Sequence, residues 1–160
     1  MHKNHSNMSD MSENHYRHLT IMVILSFISM YILMYAMVNT IVNVYNNLNQ
    51  FYMAGLMTAP MVVIELSVMR AMYQNKRRNA LIIAASVIAL LVFFTFIRQQ
   101  TAISDKQFLR SMIPHHAGAI LMCEHASIQD VEIKELCQNI ISSQQAEIDQ
   151  MKAKLQELER

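Results

Sequence analysis

The sequence is poor in the residues that end regular structure or form turns. Its 160 residues include only two glycines and two prolines, and no tryptophan. Strands are ordinarily bounded by turn residues and show alternating polar and apolar side chains, and neither pattern occurs here. Charged residues make up 16% of the chain and the formal charge is +1, so no nucleic-acid partner is expected. These absences predict an all-α protein.

Cysteine is also scarce. Cys123 and Cys137 are too few for a disulfide scaffold and lack the CxxC spacing that is typical of a zinc knuckle or a thioredoxin-like site. Three interpretations remain open at this point: buried apolar positions, one disulfide between two helices in an oxidising compartment, or metal ligands.

Long apolar runs, by contrast, fill the first hundred residues. Three of them, at about 19–38, 51–72 and 80–97, are long enough at about 1.5 Å per residue to cross a hydrocarbon core of about 30 Å. A cleaved signal peptide is not expected, because the tail before the first run is long and no clear cleavage site follows the run. We therefore predict a membrane domain over residues 19–97 with three spans in a lipid bilayer.

The charges between the spans predict their direction. The loop between the first two spans is uncharged, whereas the next loop carries Arg70, Lys76, Arg77 and Arg78. The positive-inside rule places the basic loop in the cytoplasm. The N-terminus is then cytoplasmic and residues 98–160 are extracytoplasmic, which in a bacterium means a periplasmic domain at the inner membrane.

The second span contains one carboxylate, Glu65, and methionines at a regular spacing. Methionine is abundant, with 15 residues in the chain, and here a series at every fourth position consists of Met53, Met57, Met61, Glu65 and Met69. An intramembrane carboxylate is a functional candidate. Two interpretations stay open: a path that passes Cu(I) across the membrane, or lipid-facing methionines with Glu65 bonded to Asn39, Asn43 or Arg70.

The N-terminal segment 1–18 is polar and rich in histidine and methionine. Its possible additional metal ligands are His2, His5, Met8, Met11, His15 and His18. The segment has no core-forming pattern, so we predict a disordered tail. A solvated leader with incidental histidines is the alternative. Three spans place this tail on the opposite side of the membrane from residues 98–160.

Residues 98–160 predict two antiparallel helices. Ser104 and Gln107 have the form of a capping box at the start of a helix over 104–127, and Pro114 inside it predicts a kink. Asp130 is a suitable N-cap for a second helix that runs nearly to the C-terminus. The short link makes the two helices antiparallel neighbours.

Folding the chain near residue 128 sets Met112 opposite Gln145 and brings polar Gln144 and Glu147 close to a Met/His cluster. Met112, His115 and His116 are spaced i, i+3 and i+4, so we expect them to share a helix face and to converge on one ion. Thioether sulfur is a soft ligand that selects Cu(I) or Ag(I), and imidazole holds Cu(I) or Cu(II). Plain core packing is the alternative.

Two segments carry a family resemblance: FLRSMIPHHAGAILM at 108–122 and IISSQQAEIDQM at 140–151. They resemble the signature of the DUF305 family and in particular its CopM-like copper-binding members. The resemblance covers about residues 104–158 and not the three spans. It implies a ferritin-like helical hairpin that binds copper, or silver. Carried over by motif position, the metal ligands are Met112, His115, His116, Met122, Gln144, Glu147 and Met151. His125, one turn after Met122, is a further candidate.

No catalytic arrangement accompanies these residues, because a di-iron site needs Glu-x-x-His motifs that the sequence lacks. We expect no enzyme. Two helices bury little apolar surface alone, so we expect a homodimer that completes a four-helix bundle. Two functions remain: a membrane-anchored protein that sequesters copper or silver, or hands it to other copper-handling proteins, in metal resistance; or a membrane adaptor whose hairpin binds a partner, with no metal role.

Overall fold

Five α-helices account for most of the chain in the computed structural model, which describes residues 2–160, with side chains from residue 13 onward. The helices are α1 His2–Leu33, α2 Leu48–Val68, α3 Lys76–Gln99, α4 Asp105–His125 and α5 Val131–Glu159. Two short 3₁₀ helices, Met34–Met37 and Ile41–Asn43, lie between α1 and α2. No strand occurs among residues 2–160, and the predicted all-α fold is confirmed.

Three helical segments are long and apolar enough to cross a membrane. They are Glu13–Met37, Leu48–Val68 and Lys76–Gln99, and they correspond to the three predicted spans. α2 ends at Val68, before the predicted limit of 72, because a turn follows it. α3 begins after its N-cap Asn75, whose side-chain oxygen accepts a hydrogen bond from the Arg78 amide at 3.0 Å.

α1 extends much further toward the N-terminus than the apolar pattern predicts. It begins at His2, so the structure gives a helix where the sequence analysis expects a disordered tail. The chain has neither glycine nor proline before Gly55, so no helix breaker separates the tail from the apolar run. Tyr16 is buried, and its ring lies 5.3 Å from the ring of Tyr73. This contact holds the start of the apolar segment in place.

One compact unit contains the residues up to Ile32 and the segment Phe51–Thr101. Its core consists of Tyr16, Leu19, Val62, Leu66 and Tyr73. The Tyr16 hydroxyl donates to Asn79 Oδ1 at 2.6 Å, and the Asn79 side chain donates to the Tyr73 carbonyl at 2.7 Å. These bonds connect α1 with the start of α3 and with the loop before it.

The second compact unit contains Leu33–Gln50 and Ala102–Arg160. Val38 and Tyr45 pack against the core of the α4–α5 hairpin. The segment between α1 and α2, which the sequence predicts only as a connecting loop, therefore belongs to the same unit as the hairpin. The predicted domain boundary at residue 98 omits it.

The caps of the hairpin helices confirm one prediction and correct another. Asp130 is the N-cap of α5, and its carboxylate accepts a hydrogen bond from the Ile133 amide at 3.0 Å. Ser104 is the N-cap of α4, but its side chain makes no capping hydrogen bond. Gln107 Oε1 instead accepts from the Leu48 amide at 3.0 Å, so the predicted capping box is wrong. α4 continues as one helix through Pro114.

Two helical glycines provide a matched pair of substitutions. A Cβ on Gly55 would overlap the ring of Phe93, whereas a Cβ on Gly118 would lie 3.4 Å from the Met37 carbonyl oxygen, close to ordinary contact. Because alanine favours a helix over glycine by about 1 kcal/mol, Gly118→Ala should leave the thermal stability of the full chain unchanged or raise it. Gly55→Ala should lower stability by about 1–3 kcal/mol, since Phe93 must move. Equal thermal unfolding of the two variants in detergent would contradict the close approach at Gly55.

Candidate metal centre

The α4–α5 hairpin packs through a small apolar core. This core contains five buried side chains, Ile113, Ala117 and Ile120 of α4 with Ile148 and Leu155 of α5. The α4 members recur at i, i+4 and i+7, which places them on one helix face. Arg110 near the start of α4 pairs with Glu159 at the end of α5 at 2.7 Å, so the helices are antiparallel. This core determines which polar side chains meet across the pair.

His116 lies at this interface and is only 7% exposed. Its Nδ1 lies 2.9 Å from the Met112 carbonyl oxygen, and its Nε2 lies 2.6 Å from Oε2 of Glu147. A carbonyl oxygen only accepts hydrogen bonds, so Nδ1 carries a proton and donates it. Nε2 is the ring nitrogen that remains for a metal ion, and it lies in hydrogen-bond contact with the Glu147 carboxyl group.

Three further predicted ligands lie close to this pair along their helices. Met112 precedes His116 by four positions, and Gln144 and Met151 lie three before and four after Glu147. Such spacings place side chains on one helix face. Met112 and Gln144 are half-buried, and Met151 packs against the apolar core. The two faces that meet in the hairpin thus carry five of the seven predicted ligands.

The other predicted ligands lie elsewhere on α4. His115 is exposed, although its ring centroid lies 6.1 Å from that of His116. Met122 is 53% exposed, and His125 is exposed at the end of the helix. Successive helix residues point about 100° apart, so His115 does not share the buried face of His116 as the spacing argument expected. His115 and Met122 belong to the outer surface of the hairpin.

The register of the hairpin also differs from the predicted one. Folding near residue 128 sets His115 opposite Ser142, whereas the neighbouring His116 contacts Glu147. Side chains on a helix lean toward its N-terminus, and in an antiparallel pair these directions are opposite. A side chain of α4 therefore contacts a residue of α5 that lies further from the link than the residue directly opposite it. His116 accordingly contacts Glu147.

Cys123 and Cys137 form a disulfide that joins α4 to α5, with their Cα atoms 5.2 Å apart. Of the three interpretations that the sequence left open, the structure selects the disulfide. The bond removes both thiols from the set of metal ligands. Among the side chains of residues 13–160, no three of His, Cys, Asp or Glu form a cluster that could hold a metal ion.

The candidates in the N-terminal segment are only partly described. His2, His5, Met8 and Met11 lie outside the residues whose side chains the structure describes. His15 is half-buried, with its ring 6.5 Å from that of Tyr73 in an edge-on arrangement, and His18 is exposed. Metal binding by this segment stays a prediction.

Glu65 has a partner that the sequence did not indicate. Its Oε1 accepts a hydrogen bond from the Tyr73 hydroxyl at 3.4 Å. Burial, and next the negative charge of Glu65, raise the pKa of Tyr73, so that hydroxyl keeps its proton and donates. Met53 and Met57 are exposed on the same helix, and Met69 is exposed in the turn that follows it. This arrangement favours a hydrogen-bonded carboxyl group and outward-facing methionines over a path through the span.

Comparison with known proteins gives two matches. A family model described as "Domain of unknown function (DUF305)" matches residues 65–155. The match begins in α2, so it includes α3 and is longer than the resemblance over 104–158. The chain is also 39% identical over 140 residues to "Uncharacterized protein L153" of Acanthamoeba polyphaga mimivirus, an alignment that covers 86% of this chain and 90% of that protein. No solved structure matches the chain.

Proposed function

The chain belongs to the DUF305 family, and on this premise we propose that it is a membrane-anchored protein that binds copper, or silver, in its α4–α5 hairpin. The metal is cargo, which the protein sequesters or hands over to other copper-handling proteins in metal resistance. The proposal assigns no catalytic step to the chain.

The arrangement of His116 supports this proposal most directly. Its Nδ1 donates to the Met112 carbonyl, which fixes the orientation of the ring and leaves Nε2 as the nitrogen available to a metal ion. Metal-binding histidines ordinarily donate their second nitrogen in this way. Nε2 points across the interface at Glu147. A metal ion bound at Nε2 would replace the hydrogen bond between these two side chains.

The remaining donors favour a soft ion. Met112 lies one turn from His116, and Met151 lies one turn from Glu147. Thioether sulfur is neutral and soft, and it suits Cu(I) and Ag(I) better than hard cations, which prefer several carboxylates. The face that contains His116 offers one carboxylate, so a calcium or magnesium site is not supported.

The second compact unit supports the proposed position of the hairpin. It contains both the segment between α1 and α2 and the residues after α3. If α1, α2 and α3 each cross the bilayer, these two segments emerge on the same side, as the packing of Val38 and Tyr45 against the hairpin core requires. The basic loop between α2 and α3 favours the cytoplasm for the other side. We therefore place the hairpin on the extracytoplasmic face and the N-terminus in the cytoplasm.

A membrane adaptor without metal is the second candidate, because the hairpin exposes apolar side chains near its link. These side chains are 49–77% exposed and belong to Met122, Val131, Ile133 and Leu136. Clustered exposed apolar residues are typical of a contact surface. A second copy of the chain would bury them and complete a four-helix bundle, so a homodimer fits both functions. Metal binding distinguishes the two.

A calorimetric titration of the full chain with Ag(I) in detergent tests the metal function. Ag(I) needs no added reductant, so the Cys123–Cys137 disulfide stays closed and supplies no thiol. Met112→Leu/Met151→Leu should weaken Ag(I) binding roughly tenfold or more, because leucine keeps the volume of methionine and removes its sulfur. His116→Asn should weaken binding similarly, since it removes Nε2.

Met53→Leu/Met57→Leu is the matched control, because it removes two exposed methionines from α2 and leaves the hairpin intact. It should keep the affinity of the natural chain. Hydrogen exchange of the α4 and α5 amides would establish that each variant is folded. Folded hairpin variants that bind Ag(I) as tightly as the control would contradict the metal function and favour the adaptor.

A further inference from the structure

The compact unit that contains α1, α2 and α3 has a cavity of about 820 Å³, which metal binding by the hairpin does not use. All three helices line it, and most of its wall is apolar. The wall includes Val23 and Phe27 of α1, Ala59 and Val62 of α2, and Ala89 and Phe93 of α3. Its volume lies within the range of about 300–1,000 Å³ that is usual for ligand sites.

The cavity is charged where it reaches the start of α3. Glu13, Arg17 and Arg78 line it there. Arg78 binds Glu13 at 3.0 Å and lies over the ring of Tyr16, 4.8 Å from its centroid, so its charge is paired. Arg17 forms no ion pair with any carboxylate among the side chains of residues 13–160. Among these described side chains, the charged end of the cavity therefore carries one positive charge that no carboxylate pairs with.

The surrounding loop adds to this charge. Residues 70–78, which comprise the loop before α3 and the first turn of α3, carry four basic side chains and no carboxylate. A cluster of this kind beside a membrane helix attracts anionic lipids, and basic pockets between membrane helices bind their headgroups. The apolar walls follow the helices away from this end, where the bilayer would surround them. The cavity thus matches a molecule with one anionic end and a long apolar part.

We propose that this cavity binds one anionic phospholipid, with its phosphate at Arg17 and an acyl chain along the apolar walls of α1 and α3. The acyl chain of the lipid fills a space that water would occupy only at a free-energy cost, since the wall offers few polar groups. The lipid thereby fills the space between helices that otherwise pack loosely, and it fixes the position of α1. This site does not depend on the metal function of the hairpin.

Native mass spectrometry of the full chain tests the proposal. The purified chain is given equal amounts of phosphatidylglycerol and phosphatidylcholine with the same acyl chains, and the retained lipids are counted. The natural chain should retain one phosphatidylglycerol in preference to phosphatidylcholine. Arg17→Gln should reduce this preference roughly fivefold, which corresponds to about 1 kcal/mol for one basic residue near the membrane surface.

Arg77→Gln is the matched control, because it removes a neighbouring positive charge that does not line the cavity. It should reduce the preference clearly less than Arg17→Gln does, because Arg77 contributes only to the general positive charge near the cavity. Ala89→Phe should reduce the retention of both lipids, because the ring fills the acyl-chain part of the cavity. Glycerol 3-phosphate alone should not compete, since it has no acyl chain.

Four results would overturn the lipid site. These are equal retention of the two lipids by the natural chain, equal effects of Arg17→Gln and Arg77→Gln, unchanged retention in folded Ala89→Phe, and competition by glycerol 3-phosphate alone. If Ala89→Phe instead abolishes a dimer while lipid retention persists, the occupant of the cavity is a second copy of the chain and not a lipid.

Discussion

Ile148→Ala is expected to lower the free energy of opening the α4–α5 hairpin by about 2–5 kcal/mol. Ile148 has no exposed surface and packs with Ile113, Ala117, Ile120 and Leu155. Its truncation removes buried apolar surface and leaves a cavity, because the core has few other side chains that can move into the space. In so small a core one such change is a large fraction of the stability.

Hydrogen exchange of the α4 and α5 amides in the full chain measures this free energy region by region. Gln156→Ala on the same helix is the control, since Gln156 is exposed and lies outside the apolar surface near the link. The control should change the opening free energy by at most about 0.5 kcal/mol. Similar losses for the two variants would contradict the packing of α5 on α4 through Ile148.

Removal of the disulfide is expected to have an effect of similar size. Cys123 and Cys137 are separated by 14 positions, and the entropy of closing a loop of about 15 residues corresponds to about 3 kcal/mol. Cys123→Ser/Cys137→Ser should therefore lower the opening free energy of the hairpin by about 3 kcal/mol, because its opened state gains conformational freedom.

The reduced natural chain supplies the comparison for this variant. It should show the same loss of protection in α4 and α5, and added reductant should change nothing further in the double variant. A reduced chain that exchanges as slowly as the oxidised chain would mean that the disulfide does not hold the hairpin closed.

Features that depend on neighbouring residues were predictable from the sequence. The apolar runs predicted the three long helices, and Asp130 predicted the start of α5, because hydrophobic length and N-capping act within a few turns of one helix. The start of α1 was not predicted. A polar composition suggested disorder, but an uninterrupted chain lets the helix continue backward, and the burial of Tyr16 is a tertiary contact that composition does not show.

The candidate site was predictable in part for the same reason. The spacing of Met112 and His116 indicated one face of a helix, and the structure brings that face against Glu147. The spacing along the sequence did not indicate that His115 would point outward or that Cys123 and Cys137 would pair. Both features depend on the register between two helices. The spacing i, i+4 between Met112 and His116 was also the signal for the bond from Nδ1 to the Met112 carbonyl.

No clear feature of the sequence predicted that the segment between α1 and α2 packs on the hairpin. Gln107 looked like part of a capping box, yet its side chain accepts from the Leu48 amide, which is distant in sequence. A glutamine suits both roles chemically, and only the position of the partner backbone decides between them. The compact unit around the hairpin is therefore larger than the two helices that the motif identifies.

X-ray absorption at the copper edge, on the full chain loaded with Cu(I) under ascorbate and without oxygen, tests the proposed centre most directly. We expect sulfur and imidazole scattering in the natural chain and in Cys123→Ser/Cys137→Ser, because the sulfur comes from methionine. The sulfur contribution should fall in Met112→Leu/Met151→Leu. A coordination shell of oxygen and nitrogen alone in the natural chain, or sulfur that disappears in the cysteine variant and persists in the methionine variant, would contradict a thioether and histidine site between α4 and α5.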